Sequence, residues 1–403
     1  MMKKISWLSI ACMGLVNSCF MSTIFAFFLM GGLIGKDYAG EPIYSTLPIS
    51  AFVAGAAISV IPISMLMARY GRRLGFLIGS IAGMASGVLC YAAWAYSSFI
   101  SIFTAGFLVG ILTASSSYLR FAALEITPEQ WHGRSVSIVL GGGIIAAAVG
   151  PHSALAVNSL FDTHLYPSLG LALIAINMIA FVLCLLIKFG PRPNSKSHTL
   201  DFKCLMGKVR FQLQYPLFLR AATASVTGYI IMTLIMNASP LTLVDNLGYS
   251  LETTAIIMQN HFFAMFIPFV ISGYLLDYIG ANRIVYIGFF LYAICLFILL
   301  ISTTIPAFQV ALVLLGLGWN FTFLGGTTLL FTSGSAEQGL VSQPLNEFSI
   351  DLGNFFASMF VGWALYTIGW VSILLVGGIL TTLALLIFSL LNYIVLKQYS
   401  TET

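Results

Sequence analysis

Glu347 and Asp351 stand four residues apart in a stretch that is otherwise mostly apolar. At helical spacing they share one face, which Gln343, Asn354 and Ser358 extend. Two neighbouring carboxylates repel when both are charged, which suits reversible protonation. The same pair could instead close a gate by holding an arginine near the inner end, Arg120, Arg134 or another. His261, flanked by Gln259 and Asn260, carries an imidazole, the side chain whose unperturbed titration lies near neutral pH, and could sense protons or bind a ligand. A hydroxyl or carbonyl on a neighbouring helix would satisfy it equally well. His152 reads as a cap at the outer end of its own segment. Arg120 closes the polar run Thr113, Ser115, Ser116, Ser117, Tyr118, with Glu125 and Glu129 following. It either snorkels to the surface or exchanges partners with acids in a gate. An ionisable group at the centre of a membrane span costs about 2.5–3.5 kcal/mol on insertion scales, so each of these needs a reason of this kind.

The elements that must position them are hydrophobic helices. Of the 403 residues, 59% are apolar and only 7% charged, against roughly 25% charged in soluble domains. A soluble fold of this length could not bury so much apolar surface. Spans of roughly 20 residues are expected at 6–34, 47–68, 74–96, 99–123, 134–157, 167–188, 216–239, 253–275, 283–303, 306–331, 343–367 and 370–393. The start, Met1-Met2-Lys3-Lys4, is like that of a signal peptide. Its apolar run extends to about Ile34, however, well beyond a signal core of roughly 7–15 residues, so a retained first span is expected. The expected class is an all-α membrane protein of twelve transmembrane helices. A basic linker over 189–215, rich in Pro and Ser, divides it into an N-terminal six-helix half (1–188) and a C-terminal one (216–403).

The basic residues set the orientation. With the N-terminus inside, all of the 17 lysines and arginines except Lys36 fall at the inner side. Asp37, Glu41, Asp162, Asp245 and Glu252 fall outside. Both termini are therefore expected in the cytoplasm and the protein in the cell's inner membrane. This distribution also explains the net charge of +4 without a nucleic-acid partner.

The halves echo each other. Ser64-Met-Leu-Met-Ala68-Arg69-Tyr70-Gly71-Arg72-Arg73 returns half a chain later as Gly273-Tyr-Leu-Leu-Asp277-Tyr-Ile-Gly280-Ala-Asn-Arg283. Pro128-Glu129-Gln130 corresponds to Ala336-Glu337-Gln338, and Gly110 to Gly318. Duplicated six-span halves around a midplane site are a plan found in secondary transporters.

On these residues the chain resembles the major facilitator superfamily over nearly its full length. The family's loop between spans two and three reads Gly-x-x-x-Asp-Arg-x-Gly-Arg-Arg. Arg69, Gly71, Arg72 and Arg73 match it, whereas Ser64 and Ala68 replace the glycine and the aspartate. The second copy keeps Gly273, Asp277, Gly280 and Arg283. The resemblance implies that these loops help hold the cytoplasmic gate, leaning on Asp277 where Ala68 lacks the acid. Gly141-Gly142-Gly143 and Gly150-Pro151 resemble the glycine-rich fifth span of the family's exporters without its closing glycines; close helix packing by small residues would explain them too. Tyr118-Leu-Arg120-Phe-Ala-Ala, Gln259-Asn260-His261 with Pro268, and Gln343 with Asn346-Glu347 are similar to bacterial permeases for which riboflavin uptake has been suggested.

The family lines its cavity with spans one, four, seven and ten. Here span one carries Asn17, Ser18, Ser22 and Thr23; span seven carries Thr227, Tyr229, Thr233, Asn237 and Ser239; and span ten carries Trp319, Asn320, Thr322, Thr327 and Thr328. Asn237-Ala-Ser239-Pro240 looks like a break that frees backbone carbonyls. Spans nine and twelve are nearly pure hydrocarbon, as lipid-facing helices should be. Without charge in the cavity, a neutral, amphipathic or aromatic small molecule is expected, held by Asn17, Tyr229, Asn237, His261, Trp319 and Asn320. Protons are the expected coupling ion, through Glu347, Asp351 or His261; efflux and nutrient or vitamin uptake both stay open as the direction. No nucleotide-binding loop suggests ATP as the drive. Five of the six cysteines lie in apolar runs and Cys204 in the linker, so neither disulfide nor metal is expected. No cofactor, catalytic group set or partner chain is indicated, and a monomer is expected. A non-transporting membrane sensor is the reading from another class.

Overall fold

The computed structural model describes residues 7–128, 131–161, 164–189, 212, 214–332 and 336–402. Lys3, Lys4, Glu129, Gln130, Asp162 and most of the linker, Cys204 included, lie outside the described residues. Of Gly273, Asp277, Glu337 and Gln343 only the backbone is described.

Helices dominate, and no strand occurs among the described residues. In the first half they are α1 (Trp7–Tyr38), α2 (Leu47–Tyr70), α3 (Arg72–Ala95), α4 (Phe99–Ser116), α5 (Leu119–Ile126), α6 (His132–Val149), α7 (Ser153–Phe161) and α8 (Leu165–Leu186). In the second they are α9 (Pro216–Leu241), α10 (Leu251–Phe266), α11 (Phe269–Ile279), α12 (Ala281–Ile301), α13 (Ile305–Thr332), α14 (Ala336–Thr367) and α15 (Trp370–Glu402).

Among the described residues, 10 helical segments are long and apolar enough to cross a membrane unbroken, and the bent pair α6–α7 makes an eleventh. Its 49° bend falls at Gly150-Pro151, where proline has no N–H to continue the ladder; Ser153 Oγ donates to the Gly150 carbonyl there at 2.8 Å. The remaining span is the expected 253–275, which is split. Its halves α10 and α11 hold 16 and 11 residues, each short of a membrane's thickness. They part at Ile267-Pro268, again a proline break. The twelve-span pattern thus holds, with two spans interrupted where proline removes a backbone donor.

By packing, the described chain divides into two compact units. One contains the residues up to 189 together with Ser239–Phe266; the other runs from 212 to Ala238 and from Ile267 onward. In the first unit α1 is the central helix. It packs against α4, α6 and α8 and is 83% buried over its most apolar stretch. The glycine-rich segment of α6 meets it closely: a Cβ on Gly142 would strike the Gly14 carbonyl. The α2–α4 contact is tighter still. Gly106 and Gly110, one small-xxx-small pair, lie against the backbone carbonyls of Pro48 and Phe52. In lipid, where apolar surface alone does not drive helices together, such close backbone approach supplies the dispersion contact. In the second unit α12 packs on α13 and α15. The outermost character expected of the twelfth span is present, since only 33% of the apolar stretch of α15 is buried.

Candidate functional site

The polar residues of span one are buried, and several are already engaged. Asn17 Nδ2 donates to the Val139 carbonyl at 2.8 Å, and Ser116 Oγ donates to Asn17 Oδ1 at 3.1 Å. One amide therefore ties α1 to α4 and α6. Thr23 Oγ1 accepts from Asn177 of α8 at 2.8 Å. An amide gripped at both ends serves as a crosslink between helices; in this conformation Asn17 is not the free ligand that its sequence position suggests.

The second unit assembles a different surface. On α13, Trp319 and Phe323 are four residues apart and stack, with ring centroids 5.4 Å apart and planes 7° from parallel. Tyr229 of α9 meets both edge-on at 5.2 and 5.4 Å, and Phe269 of α11 meets Trp319 edge-on at 6.0 Å. These edge-to-face contacts suit the ring quadrupoles. Phe323 and Phe269 were not singled out from the sequence; the one-turn spacing of Trp319 and Phe323 was the available signal. Thr233 and Asn237 continue the Tyr229 stripe along α9 at four-residue intervals. Thr233 Oγ1 donates to Asn354 Oδ1 of α14 at 2.8 Å. Asn237 is only 2% exposed, and neither its Oδ1 nor its Nδ2 has a hydrogen-bond partner among the described residues. Asn320 is fully buried.

Glu347 and Asp351 are both half-buried on α14 and close enough to interact electrostatically. Beside Glu347, Asn346 Oδ1 accepts from Ser225 Oγ at 2.7 Å, which fixes that turn of α14 against α9. The two arginines named as gate partners each lie over a ring, and Arg120 Nε is buried with no hydrogen-bond partner among the described residues. The Arg120 guanidinium lies 4.9 Å from the Phe121 ring centroid and that of Arg134 4.5 Å from Trp131; among the described residues neither pairs with a carboxylate.

The duplicated loop motif has a clear geometric basis. Gly71 ends α2 and opens α3 at φ +98°, ψ 158°, and Gly280 does the same between α11 and α12 at φ +87°, ψ 150°. Side-chain residues are strained at such positive φ, so both copies need glycine. Arg72 Nε donates to Glu125 Oε1 and Oε2 at 3.1 and 3.3 Å, and Nη2 donates to Oε1 as well. Its guanidinium also lies 5.7 Å from the Tyr118 ring centroid. Arg73 Nη2 donates to the Ile187 carbonyl at the end of α8, at 2.8 Å. Arg69 and Arg283 are exposed. Glu125, read from the sequence as a neighbour of Arg120, is the acid that grips this loop where Ala68 cannot.

His261, fully buried on α10, belongs to the first unit. His152 sits at the α6–α7 bend rather than at the outer end of its span, and its Nε2 is 3.2 Å from Gln259 Oε1. Beside them Phe25 and Phe262 stack at 3.9 Å and 8°. Lys36 pairs with Asp245 at 2.9 Å, which gives a partner to the one basic residue expected outside. Among the described residues no group of three or more His, Cys, Asp or Glu side chains could hold a metal ion.

The model of the Major Facilitator Superfamily matches residues 7–343. The chain belongs to the major facilitator superfamily. It is therefore a multi-pass membrane transporter for a small molecule, with twelve spans in two pseudo-symmetric halves. It is 30% identical to the riboflavin transporter RfnT of Brucella anthropi over 85% of each chain. It is also 25% identical to the transporter YdeG of Bacillus subtilis over 88% of this chain and 85% of that one. Among solved structures, it resembles a bacterial homologue of the human lysosomal transporter Spinster in an inward-facing, unoccupied conformation. That likeness has a TM-score of 0.68 at 14% identity and covers 97% of this chain and 98% of the other. It is a likeness of fold. Within the superfamily, the aromatic cluster lies on spans seven and ten, two of the four that line the family's cavity, with Phe269 added from span eight.

Proposed function

We propose that this chain is a secondary active transporter of the inner membrane that carries a flat, neutral aromatic solute, riboflavin or a close analogue, by alternating access. The observation that carries the reading is the cluster of Tyr229, Trp319 and Phe323. A planar π-surface is bound best by stacking on or against such rings. The relative named a riboflavin transporter, at 30% identity, supports that choice of solute. Uptake is the direction proposed, with N- and C-termini in the cytoplasm and the halves 1–188 and 216–403 joined by the 189–215 linker. Glu347, Asp351 and His261 couple the flux to protons. The protein works as a monomer.

The test is riboflavin accumulation in a riboflavin-requiring bacterium without its own transporter, with and without an uncoupler, and in everted vesicles for the opposite direction. Uncoupler-sensitive accumulation dependent on this chain is expected, together with a loss of about tenfold or more in Trp319→Ala. Folded protein in the membrane with no flavin flux in either direction overturns the choice of solute. Absence of flux for a broad panel of aromatic solutes would favour the sensor reading instead.

A further inference from the structure

A buried side-chain amide with nothing to bond is costly, by about 1–3 kcal/mol for each unsatisfied group, and native proteins rarely leave both ends of one open. Asn237 is such a residue. It is 2% exposed, and neither Oδ1 nor Nδ2 meets a partner among the described residues. Its near neighbours on α9 differ: Thr233 donates to Asn354, and Ser225 to Asn346. The helix ladder is also interrupted just beyond it. Pro240, inside α9, has no N–H to donate to the Met236 carbonyl four residues earlier. The helix then widens into a π-helical turn over Thr242–Asn246, a feature often found at functional sites.

Asn237 lies eight residues beyond Tyr229 along the four-residue ridge of α9, a rise of about 12 Å at 1.5 Å per residue and a turn of about 80° around the axis. That separation is comparable to the length of three fused aromatic rings. We infer that Asn237 is a specificity-determining residue that reads the imide edge of the transported solute while Tyr229, Trp319 and Phe323 hold its ring face. A carboxamide offers one acceptor and one donor group side by side. Its complement is a ligand edge with an adjacent N–H and C=O, as in the pyrimidinedione ring of flavins, pteridines and oxidised purines. The inference rests on the proposed aromatic-solute reading and sharpens it to a chemical edge. A site built to hydrogen-bond such an edge rejects the analogue that lacks it far more strongly than an apolar pocket rejects a missing methyl.

The experiment compares riboflavin with its N3-methyl derivative, in which the imide N–H is blocked, in wild type, Asn237→Leu and Asn237→Ala, by flux and by ligand-induced thermal shift of purified protein. Wild type should favour riboflavin by at least about tenfold, and both variants should lose most of that preference while still binding the ring. Asn237→Leu replaces an unsatisfied polar group with a similarly sized apolar one, so its ligand-free melting temperature should stay level or rise; Asn237→Ala controls for the shape of leucine. Retained discrimination in folded variants overturns the inference and leaves the transport reading standing. So does a marked fall in the ligand-free melting temperature of Asn237→Leu, because it would mean that the amide is structural. If riboflavin neither moves nor binds, the same thermal-shift comparison is run with uracil-, pteridine- and xanthine-type imides against their N-methyl forms. An Asn237-dependent preference there supports the imide inference and sinks only riboflavin; failure of every imide to bind sinks both.

Discussion

Arg72 grips Glu125 through two guanidinium nitrogens, and the two side chains are 18% and 33% exposed. Partial burial and forked geometry put this pair above the usual surface ion pair, at about 1 kcal/mol. If it fastens the loop that moves during transport, Arg72→Glu and Glu125→Arg should each slow flux by roughly threefold to tenfold. The double exchange should recover a large share, measured by initial uptake rates at matched expression. Failure of the double variant to exceed either single one would show that the pair does not act as a unit. Asn17 invites a different expectation. Replacing it with leucine leaves the Val139 carbonyl and the Ser116 hydroxyl without their partner, a loss of about 1–3 kcal/mol. The melting temperature in detergent should drop by several degrees, whereas Thr104→Ala, on an exposed helix face where the hydroxyl bonds only its own helix, should change little.

Helices here are held by what they lack as much as by what they carry. Gly106 and Gly110 bring α4 onto the carbonyls of α2, and added side chains there would meet backbone, which cannot yield as a flexible side chain can. Gly110→Leu should therefore prevent accumulation of folded protein, seen as loss of the monodisperse peak in detergent gel filtration. Gly141→Ala, with open space around its Cβ position, should be tolerated. The contrast separates close packing from a general effect of glycine on helix stability. The proline breaks act in the opposite direction, making α6–α7 and α10–α11 the interrupted spans. The outer piece of the second of these, α10, belongs by packing to the first unit through the Phe25–Phe262 stack and the His152–Gln259 contact.

For the molecule as a whole, coupling is the property to test. Uphill flux and its pH dependence should be weakened by Glu347→Gln, Asp351→Asn or His261→Gln in reconstituted vesicles with an imposed pH gradient; if all three keep both, these residues do not carry the proton. The sequence alone determined that this is a twelve-span, duplicated membrane transporter. Helical hydrophobicity is local, so apolar runs of the right length announce spans wherever they occur, and the Gly71 and Gly280 echoes mark a backbone shape that only glycine takes easily. The break was expected at Pro240, through which α9 runs on to Leu241, whereas spans five and eight, expected continuous, break at Pro151 and Pro268, so the breaks were only partly legible. Partners were not legible at all. Nothing in the order of residues says that Asn17 is already bonded at both ends, that Glu125 turns to Arg72 rather than to Arg120, or that Asn237 is buried with no partner among the described residues. A polar residue in an apolar helix reads the same whether it crosslinks helices or awaits a ligand. Which of the two it does is fixed by side chains brought alongside from distant parts of the chain, and only the tertiary structure supplies those.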